Sequence, residues 1–441
     1  MDLRPGLSVG LAAWRSLALA ATAVAVHALG AATPAQAYCA YVANSESNFI
    51  SVIDTATNTE STTIEEQCSA GRCDPDSVAV TPDGRFLYVA NVGSNQAPFG
   101  NTVAVIQTAT NTVAAMIIVG DRPERVAITP NGAFAYVTNT RSGTVSVIDT
   151  SKALADPPHA VIDSIPVGST PFGVFITPDG GLVFVSTCGS PCDGSALSTA
   201  VIDTSTNTIR STTPGGIVGT ITPDGQFAYM ANSFTDIVTV TDIAKVLTDP
   251  AHAMVDTIPV GRVPIDVAIT PEDFGYVANC GEHCLSSDPS SVSTVMVIDI
   301  ATNTVASTIT LPPTSAPASV GITPDGAFAY VTNAGADTVA ALDTGKALTD
   351  PEHAVIATIP VGPRPWAVAI ASLPMCIGGH PTCVGDCGVD RQVTVDELLA
   401  MVNIALGNAE VSACQAGDRD GGGQITIDEI LAAVNNALNG C

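Results

Sequence analysis

The sequence predicts an all-β fold, a seven-bladed β-propeller of four-stranded blades, followed by a small α-helical domain. Three observations carry this. The motif Tyr41-Val-Ala-Asn44 returns at Tyr88–Asn91, Tyr136–Asn139, Phe184–Thr187, Tyr229–Asn232, Tyr276–Asn279 and Tyr330–Asn333. These seven copies stand about 48 residues apart, a blade-sized repeat. Each later copy follows a segment like Val126-Ala-Ile-Thr-Pro-Asn-Gly132 and precedes one like Val147-Ile-Asp-Thr150. The ends are complementary: the first copy has no such leader, and Ala367-Val-Ala-Ile370 has no such follower. The last strand should therefore complete the first blade.

Each unit reads as four short strands: the VAI segment, the YVxN segment, the TVSVID segment, and one such as Val113–Val119. Thr-Pro-Asp-Gly turns supply a preset φ at Pro and a positive φ at Gly. Asp-Thr-x-Thr-Asn-Thr turns supply side chains that bond their own backbone. A lone blade cannot bury both faces, so a closed ring is the natural solution. A β-helix or a β-sandwich competes, but neither suits the unit length and the complementary ends.

The chain has 441 residues, with 15 Lys+Arg against 42 Asp+Glu and a net charge of −27. That balance disfavours nucleic acid, which is bound through cations on phosphates, and anionic membrane surfaces. Only 13% of residues are charged and 46% are apolar, yet after residue 37 no apolar run reaches the ~20 residues of a spanning helix. Residues 1–37 read as a secretory signal: Arg4 and Arg15, an apolar Leu17–Ala32 stretch, then Ala35-Gln36-Ala37. The expected location is secreted or at the cell surface, in an oxidising environment that suits the 12 cysteines.

Strand alternation sorts the loops onto two faces. Cys68/Cys73, Cys188/Cys192 and Cys280/Cys284 fall on one face, each pair spaced for a local bridge. Cys39 and Cys376 reach the same repeat position from opposite ends and are expected to close the ring, with Cys376–Cys383 as the competing pairing. The other face carries K-x-L-x-D-P-x-H-A inserts at Lys152–Val161, Lys245–Val255 and Lys346–Val355. Their histidines, His159, His252 and His353, occupy one repeat position in three blades. They should stand far apart and cap their inserts rather than share a metal. Glu282-His283 is a candidate acid/base pair, and Cys280, His283 and Cys284 are candidate zinc ligands, against a disulfide in an exported protein. Arg72, Arg122, Arg125, Arg262 and Arg364 precede or open first strands around one mouth of the channel, where they are candidates for an anionic ligand. No haem, nucleophile-elbow, zincin or dinucleotide motif is present. No convergent acid–base set is legible in the inner strands, so the expected function is non-enzymatic: a surface or matrix protein with a recognition propeller and an attaching tail.

The quoted motifs, over about residues 40–372, resemble the YVTN family of β-propeller repeats. The resemblance implies a secreted or surface-layer propeller and no particular reaction. By fold analogy alone, a lactonase-like or quinoprotein-type enzyme acting at the channel mouth is the alternative.

The expected domains are a signal peptide (1–37), the propeller (38–372), a linker (373–384) and a tail (385–441). Within the tail, Gly385–Glu397 with helix Leu398–Leu406 recurs as Gly417–Glu429 with helix Ile430–Leu438. A loop with one helix, twice, resembles a type I dockerin, whose EF-hand-type loops bind calcium. Residue by residue, the resemblance implies Asp386, Asp390, the Gln392 carbonyl and Glu397 as ligands in loop one. In loop two it implies Asp418, Asp420, the Gln424 carbonyl and Glu429. Departures at Gly388, Arg391 and Gly422 imply weakened sites, with loop two the better. A protein partner, cohesin-like, is implied for the tail, against a helical spacer stapled by Cys383, Cys387, Cys414 and Cys441.

Overall fold

A computed structural model describes residues 38–66, 68, 72–93, 100–190, 192–281, 292–371 and 395–406, with 414, 425, 426, 430, 433 and 434. Twenty-eight described strands form seven four-stranded antiparallel sheets. The inner strands are Pro75–Val80, Pro123–Ile128, Pro171–Ile176, Val218–Ile221, Pro264–Ile269, Pro317–Ile322 and Pro365–Ala371, for blades 2 to 7 and then blade 1. Each packs on the next, so they close a ring about one axis. Blade 1 is composite, as the complementary ends predict. Pro365–Ala371 pairs with Cys39–Asn44, placing Tyr41 opposite Ala369 and Cys39 opposite Ala371.

The core lies between blades. Tyr41, Ile50 and Val52 of blade 1 pack with Leu87, Val89 and Ile106 of blade 2, and the same interleaving runs round the ring. The YVxN tyrosines are fully or almost fully buried, and five of them latch neighbouring blades, Tyr276 by donating to the Thr344 carbonyl and four through asparagines. Tyr41, Tyr136, Tyr229 and Tyr330 donate through Oη to Asn111, Asn207, Asn303 and Asn58 of the following blade. These asparagines stand at φ of 51°, 53°, 54° and 52° in the Thr-Asn-Thr turns. Asn tolerates that left-handed conformation better than most residues and leaves its amide oxygen free to accept.

The YVxN asparagines end the second strands with buried side chains, as where Asn139 donates to Ser146 Oγ at 3.0 Å. A glycine of the preceding loop lies flat against three of them. A Cβ on Gly120, Gly261 or Gly362 would stand 2.6, 2.7 and 2.6 Å from Asn139, Asn279 and Asn44, which explains the repeated Val-Gly. In the Thr-Pro-Asp-Gly turns, Thr81 Oγ1 donates to Asp83 at 2.6 Å and accepts from the Phe86 N–H at 3.0 Å.

The inserts fold as short helical turns, including Lys152–Ala155 and Thr344–Thr349. His159, His252 and His353 each face the aspartate three residues earlier, all at 3.0 Å, in separate blades. Disulfides join Cys68–Cys73 and Cys188–Cys192. Cys39, Cys280 and Cys414 are also disulfide-bonded, and no described cysteine is free. Cys376, Cys284, Cys383, Cys387 and Cys441, with Glu282 and His283, lie outside the described residues, as do residues 1–37.

In the tail, helix Val395–Ala405 is described, and Met401 and Ile404 share a small core with Cys414, Ile425 and Ala433. Glu397 stands in its first turn. Asp386, Asp390, Gln392, Asp418, Asp420, Gln424 and Glu429 lie outside the described residues.

Candidate functional site at the channel mouth

All inner strands run the same way, so their first residues gather at one end of the axis. Six of the seven open through a residue with positive φ placed directly before proline: Asp74, Arg122, Thr170, Val263, Ala316 and Arg364. At Val263, with φ of 52°, a β-branched side chain occupies backbone space that costs energy to hold. Immediately inside, the same six strands carry a β-bulge. Bulges re-aim side chains and recur beside functional sites. The residues they displace are Asp76, Glu124, Phe172, Ile265, Ala318 and Trp366. At this position blades 2 and 3 carry carboxylates, and blades 1, 4, 6 and 7 carry uncharged residues.

The residues next in line add Arg125 and Asp266. Asp76, Glu124, Arg125 and Asp266 are 7%, 5%, 9% and 9% exposed. The expectation that the inner strands lack a convergent ionisable set is therefore corrected: four buried charged groups stand at their upstream ends. Their spacing in sequence hid them, because each comes from a different repeat and takes its direction from a bulge.

Burial pushes the Asp76 carboxyl well above the usual range; nearby Glu124 adds to this, while Arg125, Arg122 and Arg364 pull the other way. Burial likewise raises Glu124, opposed by Arg122 and Arg125. Asp266 is raised by burial and drawn back by Arg125 and by hydrogen bonds from blade 7. Those bonds come from Ser319 Oγ at 2.9 Å and the Val320 N–H at 3.0 Å. Blades 3 and 6 lie on opposite sides of a seven-membered ring. The field of Arg125 at Asp266 therefore acts across the axis.

Of the five arginines expected at the mouth, four have carboxylate partners. Arg72 meets Asp74 at 2.7 Å, Arg122 meets Glu124 at 3.4 Å, Arg262 meets Asp236 at 3.9 Å and Arg364 meets Glu46 at 3.1 Å. Arg364 also lies 5.3 Å from the ring centroid of Trp366. Arg125 differs. Its Nε and Nη2 are buried without a hydrogen-bond partner, as are Asp76 Oδ2 and Trp366 Nε1. Nε and Nη2 form the side-on fork of a guanidinium, the edge that grips a carboxylate with two parallel bonds.

Two cavities of about 270 and 260 Å³ lie elsewhere, between blades 2 and 3 and between blades 6 and 7. They occupy one repeat position, where Tyr88 and Tyr276 face an insert instead of a Thr-Asn-Thr turn. At the third such junction Phe184 replaces tyrosine and joins an apolar cluster with Val246 and Ile243. Among the described residues, no three His, Cys, Asp or Glu side chains converge as a metal-holding group.

Comparison with known proteins agrees with the architecture. A family model described as "Lactonase, 7-bladed beta-propeller" matches residues 31–170, less than half of the chain. The chain is a propeller protein. Solved structures similar to it include hydrazine synthase of Kuenenia stuttgartiensis, at 25% identity and a TM-score of 0.56, covering 67% of this chain and 89% of that one. A protein of unknown function from Desulfotomaculum acetoxidans matches at 16% identity and a TM-score of 0.57, over 76% and 98% of the two chains. A candidate 6-phosphogluconolactonase of Bacteroides fragilis matches at 15% identity and 0.56, over 77% and 99%. No curated protein matches the sequence.

Proposed function

We propose that this protein binds a small organic anion at the channel mouth, with Arg125 as the anchoring cation. The observation that carries the reading is the buried, unpartnered Nε/Nη2 edge of a guanidinium only 9% exposed. A buried donor left unsatisfied costs roughly 1–3 kcal/mol, more when charged. A bound carboxylate would recover that cost, and neighbouring Asp76, Glu124 and Trp366 would select its substituents. In a chain of net charge −27, long-range attraction does not explain anion capture, so the contact must be local and geometric. Recognition without chemistry is the reading preferred here, on an exported protein held at a surface or matrix through its dockerin-like tail.

The test is calorimetric titration of the intact chain with a panel of small carboxylates. The expected result is binding that Arg125→Met weakens at least tenfold and Arg262→Met leaves unchanged. Equal affinity in wild type and Arg125→Met would defeat the reading.

A second reading, hydrolysis of a lactone at the same mouth, is favoured by the family match and by two adjacent carboxyls raised toward the range of general acids. Turnover of simple lactones, lost in Glu124→Gln, would move the assignment from binder to enzyme.

For the tail, calcium binding is proposed from the loop pattern alone. The intact chain should take up about one calcium ion with affinity in the ~10⁻⁴–10⁻³ M class of extracellular sites. Glu429→Gln should abolish it and Glu397→Gln should matter little. Two equal sites, or loss only in Glu397→Gln, would reverse the ranking of the loops.

A further inference from the structure

The mouth offers unpartnered groups of both signs. Arg125 has a buried guanidinium edge, Nε and Nη2, and Asp76 a buried oxygen, Oδ2, each with no partner. The two come from adjacent inner strands, Pro123–Ile128 and Pro75–Val80, and Arg125 is felt electrostatically at the Asp76 carboxyl. Yet they form no ion pair, and neither is joined to a neighbour that would satisfy it. Two groups of opposite formal charge on adjacent strands, each with polar atoms left unbonded, suit a ligand that carries both charges itself.

The remaining bulge positions define what else the ligand carries. At the same position the other bulged strands carry the uncharged residues Phe172, Ile265, Ala318 and Trp366. At the next position of blade 4, Gly173 cannot be larger, since a Cβ there would stand 2.3 Å from the Ile217 carbonyl oxygen.

Resting on the anion-binding reading above, we infer that the ligand is a free α-amino acid with an apolar side chain. Its carboxylate sits on the Nε/Nη2 edge of Arg125, its ammonium on Asp76, and its side chain toward Phe172 and Trp366, the uncharged bulge residues of the two flanking blades. An α-amino acid carries its two charges on neighbouring atoms, which matches two unpartnered groups on neighbouring strands. Glu124 is not available for the ammonium, because Arg122 already holds it. Asp266 is not available either, because Ser319 and Val320 do. Asp76 is the carboxylate left over.

Titration of the intact, unmodified protein with three probes of equal shape tests this: L-leucine, 4-methylpentanoate (no ammonium) and 3-methylbutylamine (no carboxylate), with inorganic phosphate as a fourth. Leucine should bind at least tenfold tighter than 4-methylpentanoate, and 3-methylbutylamine should bind weakest. Asp76→Asn should erase the leucine advantage over 4-methylpentanoate, whereas Arg262→Met, away from both groups, should keep it. If 4-methylpentanoate or phosphate binds as tightly as leucine, the amino-acid inference is overturned and the anion reading stands. If none of the four binds, both fall. Tightest binding of 3-methylbutylamine would overturn both by placing the ligand's contact on the acids alone. The probe series is read on the wild-type chain, so a misfolded Asp76→Asn variant would not leave the inference untested.

Discussion

Glu66→Gln is expected to stabilise the protein above neutral pH and to change little near pH 4. Glu66 follows the outer strand Thr59–Glu65 of blade 1 and is 4% exposed. Neither carboxyl oxygen meets a hydrogen-bond donor at bonding geometry. Burial pushes its carboxyl up to about 8, against a smaller opposing pull from Asn91. The unfolded chain would titrate this group near its ordinary value of 4.5. Between those two values the folded state holds a proton that the unfolded state has released. Stability therefore falls as pH rises through that window; it is fully present below 4.5 and lost by about 8. At about 1.4 kcal/mol per pH unit, the penalty at pH 8 is on the order of 4–5 kcal/mol. Against a total stability of about 5–15 kcal/mol, that is a large share. Glutamine has no proton to lose, so the variant should fall less steeply with pH, keeping only the slope that the other buried acids impose. Denaturant melts of both proteins at pH 4, 6 and 8 measure this. Parallel curves, with the same slope in pH, would mean that Glu66 is not the buried acid described.

Truncation after Gly362 should abolish cooperative unfolding, whereas truncation after Ser372 should preserve it. The difference is the strand Pro365–Ala371, which supplies the inner edge of blade 1. Its loss would leave one edge of Cys39–Asn44 without its partner strand and uncover Tyr41 and Val42, both fully buried. It would also remove Val368 from the cluster with Tyr330 and Val339 of blade 7. Two buried aliphatic side chains at ~1.5–3 kcal/mol each, with about five ladder hydrogen bonds at ~1 kcal/mol each, approach the whole stability of a domain. Cys39 faces Ala371 in register, five residues short of Cys376 in the chain, which keeps the proposed Cys39–Cys376 bridge within reach of the same seam. Circular dichroism melts distinguish the two truncations; equal, sharp transitions would show that the ring does not depend on this strand.

The ring was legible because repetition exposes what every unit must do. Tyr, Val and Asn at fixed positions meant one buried strand made seven times, and mismatched ends meant closure by complementation. The inserts were legible for the same reason, since Asp-Pro-x-His recurs with its own partner three residues away. The mouth was not. Asp76, Glu124 and Asp266 looked like ordinary polar residues of loops and strand starts. Only the bulge after each opening proline makes them neighbours, and a bulge leaves little trace in an apolar pattern. Sequence could not tell the four arginines that pair with a nearby carboxylate from Arg125, whose Nε and Nη2 are left without a partner. The one usable signal was positional: charges one and two residues after the proline of an inner strand are buried at its upstream end.

The central claim is that the working site is the mouth at Arg125. Crystals of the intact protein soaked with bromoacetate would test it through the anomalous signal of bromine. The expected result is one dominant bromine site beside the Nε/Nη2 edge of Arg125, absent from crystals of Arg125→Met. Bromine located only in the cavities between blades 2 and 3 or 6 and 7, or retained in Arg125→Met, would contradict it.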